Sequence, residues 1–134
     1  MTHILIVGKS FSGLKNYLRD HGYTYTVLQD MRTTQFPDKR FKNRIVADFN
    51  DREKLFDSVN AIHKRHPIDG LLTTYENYVF SAASIAEHLD LPGIRPEAAL
   101  ACTDKERMRE LFAAAPTKIS PSFAVIASED DVKA

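Results

Sequence analysis

The stretch LLTTYENYVF, residues 71–80, places a carboxylate, Glu76, beside an amide, Asn77, where an apolar run gives way to an amphipathic one. A helix start needs only a small polar cap at such a junction. A binding site at a strand's end could use the charge, or the carboxylate can simply lie well against the helix dipole. A second junction, GKSFSG at residues 8–13, sits between an apolar run and a helical pattern. Its backbone N–H groups suit an anionic ligand, with Gly8, Ser10 and Gly13 as candidate contacts; the plainer reading is a glycine-assisted turn with Ser10 or Ser12 capping the helix. It lacks the third glycine of a dinucleotide fingerprint, and Leu14 stands where a P-loop needs lysine. A third set is Lys105 with Arg109, one helical turn apart. Lys105 can simply be solvated, and Arg109, on the same helix face, can repel it or pair with Glu106.

Other chemistry finds little support. The histidines show no metal-ligand spacing, Cys102 has no CxxC partner, and no nucleophile–His–acid arrangement stands out. No catalytic residue and no metal ligand is therefore expected within this chain. HKRH, residues 63–66, reads as a solvated helix end whose charges suit the carbonyl dipoles. Eighteen basic and eighteen acidic side chains cancel, so net charge gives no push toward nucleic acid or a membrane surface. No apolar run has the length of a membrane span, the start is too short for a signal peptide, and the single cysteine fits a reducing cytoplasm. A receiver domain would need an acidic pair after the first strand; VGKS supplies none, although Asp48 stands where the acceptor aspartate would be.

The elements that must position these residues alternate. HILIVG, residues 3–8, reads as a strand buried on both faces. A helix follows from Ser12 with Leu14, Tyr17 and Leu18 on one face and Gly22 as its stop. Residues 23–29 read as a second strand, and residues 31–42 as a loop or a short helix after Pro37. Residues 44–49 read as a third strand, followed by a helix over 51–66 that turns Leu55, Phe56, Val59 and Ile62 inward. Residues 67–74 read as a fourth strand, and 77–89 as a helix with Val79, Ala82, Ala83, Ala86 and Leu89 inward. Beyond a turn at Pro92 and Gly93, Ile94 suggests a short edge strand and Pro96 opens a helix. Thr103 to Glu106 has the form of a capping box for another helix, with Met108, Leu111 and Phe112 inward. SFAVI, residues 122–126, reads as a new strand, and Ser128 as the cap of a further helix. Strand–helix alternation implies an α/β fold: a three-layer, doubly wound parallel sheet of Rossmann-like type with about four or five strands. Ligands in such folds sit outside the carboxyl ends of the strands, the rim on which Glu76 lies.

The order of these pieces resembles the amino-terminal, pre-ATP-grasp region of ATP-grasp enzymes, of the biotin carboxylase N-terminal-like and carboxylate–amine ligase type. The matching pieces are Glu76, LPG at residues 91–93, Asp104-Lys105 with Arg109, and PTKISPSFAV at residues 116–125; AAAPTKISPSF departs from the family in lacking a glycine before its first apolar residue. The resemblance implies a substrate-side domain over residues 1–115 and the start of a truncated ATP-grasp domain over 116–134. It implies a ligase that joins a carboxylate to an amine through an acyl phosphate, using ATP and Mg²⁺. Lys105 and Arg109 would reach the ATP phosphates; Glu76, Asn77, Gly8, Ser10 and Gly13 would line the side of a small substrate carrying a carboxylate or an amine. The adenine-binding lysines and metal ligands of the family lie later than residue 134, so a missing C-terminal ATP-grasp domain is the expected partner. The fragment alone is expected to bind no cofactor and to turn over no ATP. The unpartnered SFAVI strand is expected to be disordered or to dock on a neighbouring copy in a homodimer. The alternative is a free-standing Rossmann-like ligand-binding or regulatory module without catalysis.

Overall fold

In a computed structural model of the chain, which describes residues 1–33, 43–117 and 119–132, the four apolar runs form one parallel sheet. Its strands β1 (His3–Val7), β2 (Thr24–Asp30), β3 (Arg44–Ala47) and β4 (Gly70–Leu72) lie in the order β3-β2-β1-β4. The register sets Val7 opposite Leu28, Ile6 opposite Leu72 and Asp30 opposite Ala47, so all four strands end on one rim. From β1 to β2 the chain steps one way, with helix α1 (Ser12–Asp20) as the crossover; from β3 to β4 it returns past β1 through α2 (Arg52–Arg65). Right-handed crossovers running in opposite directions place their helices on opposite faces. The packing follows: Leu5, Val7 and Leu28 meet Leu55, Val59 and Ile62 of α2 and Ile85 of α3 (Val79–His88). Ile6 and Val27 meet Leu18 of α1 on the other face. The three-layer α/β expectation holds, with four strands.

Local endings explain where the elements stop. Gly22, at φ +77°, ends α1, and Tyr23 N–H donates to Leu18 O at 2.9 Å. At the end of α3 the left-handed position is taken by Asp90, φ +53°, with Leu91 N–H donating to Ala86 O at 2.8 Å. Asp51 caps α2 by accepting from Lys54 N–H at 3.1 Å. Two other caps differ from expectation. Neither Ser10 nor Ser12 caps α1: Phe11 is the cap residue and offers no side-chain acceptor, because Ser12 is already helical. Thr103 does not open α5 (Lys105–Ala113). Its hydroxyl donates back to Ala99 O at 3.1 Å within α4 (Pro96–Thr103), and Asp104 accepts from Arg107 N–H instead.

The last third departs most from the sequence reading. No residue of α5 is buried: Leu111 and Phe112 are exposed and Met108 is half-buried, because α5 packs against α4 rather than the sheet. Ile94 lies in no strand and is exposed. SFAVI forms no strand either, and Phe123, Val125 and Ile126 face solvent; a strand needs a partner edge, and this segment has none among the described residues. Ser128 precedes a single 3-10 turn, Glu129–Val132, where its N–H and hydroxyl donate to Asp131. The expected loop or helix after Pro37 lies outside the described residues.

At the opposite end of the sheet from the rim, His3 is buried. Its Nδ1 lies 2.9 Å from Thr24 Oγ1 and its Nε2 3.1 Å from Thr26 Oγ1, while its backbone N–H donates to Asp69 at 2.7 Å. Burial lowers the His3 pKa and the neighbouring His66 ring lowers it further, against an opposing pull from Asp69. The unfolded chain therefore takes up this proton before the folded one does. The contribution to stability is complete above about pH 6.5, the ordinary histidine value, and is lost as pH falls toward the depressed one. Urea unfolding between pH 7.5 and 5.5 is expected to show falling stability in the wild type and a flatter profile in His3→Gln; equal slopes would contradict the assignment.

Candidate functional site

The direction of strand order reverses between β1 and β4, so the loops after these two strands frame the crevice where doubly wound sheets take ligands. The loop after β1 leaves the sheet at Gly8, which has φ +89° and lies directly under the Tyr78 ring; a Cβ at this position would overlap that ring. Only glycine combines this backbone with so close an approach. Tyr78 belongs to a 3-10 turn, Glu76–Tyr78, that precedes α3. Its ring meets Phe49 edge-on with centroids 5.3 Å apart, and its hydroxyl donates to Thr33 Oγ1 at 3.4 Å. One side chain thus touches the loops after β1, β2 and β3.

Two further contacts join the β1 and β4 loops. Thr74 Oγ1 donates to Lys9 O at 3.4 Å, and Lys9 Nζ lies 5.9 Å from the centroid of the Tyr75 ring. Glu76 and Asn77, next along the chain, are exposed on this rim. The structure therefore brings the loop of Gly8, Ser10 and Gly13 against the loop of Glu76 and Asn77. The N-terminus of α1 opens on the same side, with no acid in its first turn and no side-chain cap, leaving its first N–H groups available.

Beside them, Asp30 at the end of β2 is buried and accepts from Arg32 Nη2 at 2.7 Å and from Arg32 Nε at 3.1 Å. Burial pushes the Asp30 carboxyl up, but the hydrogen bonds from Arg32 outweigh it and hold the group below the usual carboxylate range. This charge-assisted pair is fully formed at neutral pH and is lost only as acid protonates Asp30 through that depressed value.

Lys105 and Arg109 lie on α5, the helix that packs against α4. Lys105 is the first residue of that helix and is exposed; Arg109 Nη1 donates to Ser120 Oγ at 3.3 Å and does not pair with Glu106. Two cavities are described. One of about 510 Å³ lies among Phe112, Pro116, Ser120 and Phe123. The other, of about 390 Å³, lies among Met31, Val46, Asp48, Lys54 and Asp57. Neither is lined by any of the seven candidate residues. Lys9, Tyr75 and Tyr78 were not singled out by sequence reasoning. The signal available was a lone glycine at a strand end, which asks what ring or backbone comes close.

The profile of the ATP-grasp N-terminal domain matches residues 21–93, more than half of the chain and the span from the end of α1 through α3. The chain belongs to the ATP-grasp N-terminal domain family. Among solved structures, an L-amino acid ligase from Bacillus licheniformis superposes at a TM-score of 0.68 with 21% identity, covering 84% of this chain and 30% of its own. A phosphoribosylglycinamide synthetase from Anaerococcus prevotii gives a TM-score of 0.62 and 22% identity over 84% of this chain and 28% of its own. The likeness is one of fold, and the chain spans less than a third of either enzyme. No curated protein matches. No helix among the described residues is long and apolar enough to cross a membrane. Within this ATP-grasp N-terminal domain, Gly8→Ala is expected to cost about 3 kcal/mol from left-handed strain plus the ring overlap. In a Tyr78→Ala background the same change should cost only about 1 kcal/mol, the strain alone. A double-mutant cycle by denaturant unfolding checks this; a zero coupling energy would show that the ring does not rest on Gly8.

Proposed function

We propose that this chain is the substrate-side domain of an ATP-dependent carboxylate–amine ligase, or of a related C–N-forming ligase, that works through an acyl phosphate. Residues 1–115 form the substrate side and 116–134 begin the ATP-grasp part. The observation that carries the reading is the joining of the Gly8 and Glu76 loops at the switch point of a family member's sheet. In this reading the substrate carboxylate would attack the terminal phosphorus of ATP and ADP would leave; the ammonium would give up a proton to become the free amine, which would attack the acyl carbon as phosphate leaves and a second proton is released from the new amide nitrogen. Glu76 accepts hydrogen bonds from the incoming ammonium, with Asn77 beside it, while the N–H groups of Gly8, Ser10 and Gly13 face the anionic part of the substrate.

Lys105 fits a phosphate: it has no carboxylate partner among the described residues and stands at the positive end of α5. Arg109, one turn on, would supply a second cation. No cluster of side chains that could hold a metal occurs among the described residues, so Mg²⁺ and most of the ATP contacts would rest with an ATP-grasp domain. Exposed Leu111, Phe112, Phe123 and Val125 would face that domain, and they could equally carry a homodimer contact. Without that domain the chain would release no phosphate. The free, exposed Cys102 suits a reducing cytoplasm.

The test is ATP-dependent phosphate release by the longest natural form with mixtures of carboxylates and amines. Release is expected, and Lys105→Ala should lower kcat/KM for ATP by about 10- to 100-fold, the worth of a charge-assisted contact. No release with any carboxylate–amine pair would overturn the ligase reading.

A further inference from the structure

At the end of the sheet away from the rim, one buried ring ties three elements together. The His3 side chain faces β2, with Nδ1 2.9 Å from Thr24 Oγ1 and Nε2 3.1 Å from Thr26 Oγ1. Thr24 donates its own hydroxyl proton to Thr2 O at 3.4 Å, which leaves its oxygen to accept from Nδ1–H. Nε2 then accepts from the Thr26 hydroxyl, and the neutral ring has both nitrogens satisfied. Backbone groups of the same residue hold the entry to β4. The His3 N–H donates to Asp69 Oδ2 at 2.7 Å, and the Asp69 N–H donates to His3 O at 3.0 Å. From the helix side, His66 caps α2 and stacks on His3 with ring centroids 5.6 Å apart. His63 Nδ1 accepts from the Ile68 N–H at 3.1 Å, and Ile68 is buried. The connection from α2 to β4 is therefore fastened to the first residue of β1.

A second proton on this ring meets no acceptor. It would sit on Nε2, toward which the Thr26 hydroxyl already points its hydrogen, and Thr26 is buried. Two titratable groups face the ring. His66, from the end of α2, repels a second positive charge when it carries one itself. Asp69, from the connection, favours the proton, but its carboxylate is already engaged by the His3 N–H. From β2 the ring meets the two threonine hydroxyls. We propose that His3 is a proton-operated latch on the entry to β4: taking up a proton releases the α2–β4 connection and loosens β4 while the rest of the sheet stays folded. The strand is built for local opening. It has three residues, all half-buried, and it stands at the edge of the sheet, paired with β1 through Gly70, Leu71 and Leu72. Such an edge opens at lower cost than a central pair. The open state takes up the proton that the closed state refuses, so linkage favours opening as pH falls. The latch is fully closed above about pH 6.5, the ordinary histidine value, and yields below it. Because β4 leads directly into residues 73–77, the loosening reaches the loop of Glu76 from its far end.

The test is amide hydrogen exchange of the 134-residue chain, labelled with ¹⁵N, at about pH 7.0 and about pH 5.5, the two sides of the ordinary histidine value. Rates are corrected for the intrinsic pH dependence and measured with and without low urea. The amides of Ile68, Asp69 and Leu71 are expected to be at least about tenfold less protected than that of Leu28 in the central strand β2, because they open without global unfolding. Their protection should fall by about three- to tenfold between the two pH values, the range that one proton permits, and low urea should leave their rates unchanged. His3→Gln cannot take up the proton and should remove the pH response of these three amides. In the wild type alone, the ¹⁵N shift of His3 Nε2 should move over the same pH range as their protection, which keeps the test decisive if His3→Gln folds poorly. The proposal is overturned if the three amides share the rate and urea dependence of Leu28, since opening is then global. It is equally overturned if their protection does not change with pH, if folded His3→Gln keeps the response, or if the His3 ring titrates over a different range.

Discussion

The Tyr78 ring resting on Gly8 is the contact on which the working rim depends. Gly8 has to be glycine twice over, because its φ is +89° and the space of its Cβ is filled by the ring. The same ring leans on Phe49 and its hydroxyl reaches Thr33, so one buried side chain spaces the loops that follow three strands. The segment that carries Tyr78 also carries Tyr75 and Glu76, and moving the ring would move them. Interiors packed at this density transmit such displacements instead of absorbing them.

The charges on the rim divide into satisfied and unsatisfied ones. Asp30 and Arg32 form a buried-to-surface pair that fixes the turn after β2 and leaves neither group free to seek a ligand. Lys9 and Glu76 have no ionic partner among the described residues. At the other end of the chain the balance is reversed. The helix α5 buries none of its side chains and is held by the Asp104 cap and by contact with α4. A buried Leu or Phe contributes roughly 1.5–3 kcal/mol. Leu111 and Phe112 contribute little while exposed, which places α5 at the less stable end of the fold. The rim of the sheet is well packed, whereas the last helix is thinly anchored and apolar-surfaced.

The fold was legible because its signals are local and redundant. The β-branched run of β1 and the inward stripe Leu55, Phe56, Val59 and Ile62 could each be read within a window of about a dozen residues, and all but Ile4 and Phe56, which are half-buried, proved buried. Cap identities were less legible, since Thr103 and Asp104 are both good caps and the choice turned on Thr103 bonding back into α4. SFAVI has strand composition, but a strand exists only with a neighbour. For the site, the position of Glu76 could be read because it follows from where β4 ends. Lys9 could not, because its partners lie some 65 residues away in sequence and only the register of β1 on β4 brings them close.

The most direct measurement is a crystal structure of the longest natural form with a non-hydrolysable ATP analogue and whichever carboxylate and amine support phosphate release. The account predicts substrate density between the loops at residues 8–13 and 73–77, with the Lys105 ammonium turned toward the analogue's phosphates. Substrate bound elsewhere, with these two loops in contact only with water, would contradict it.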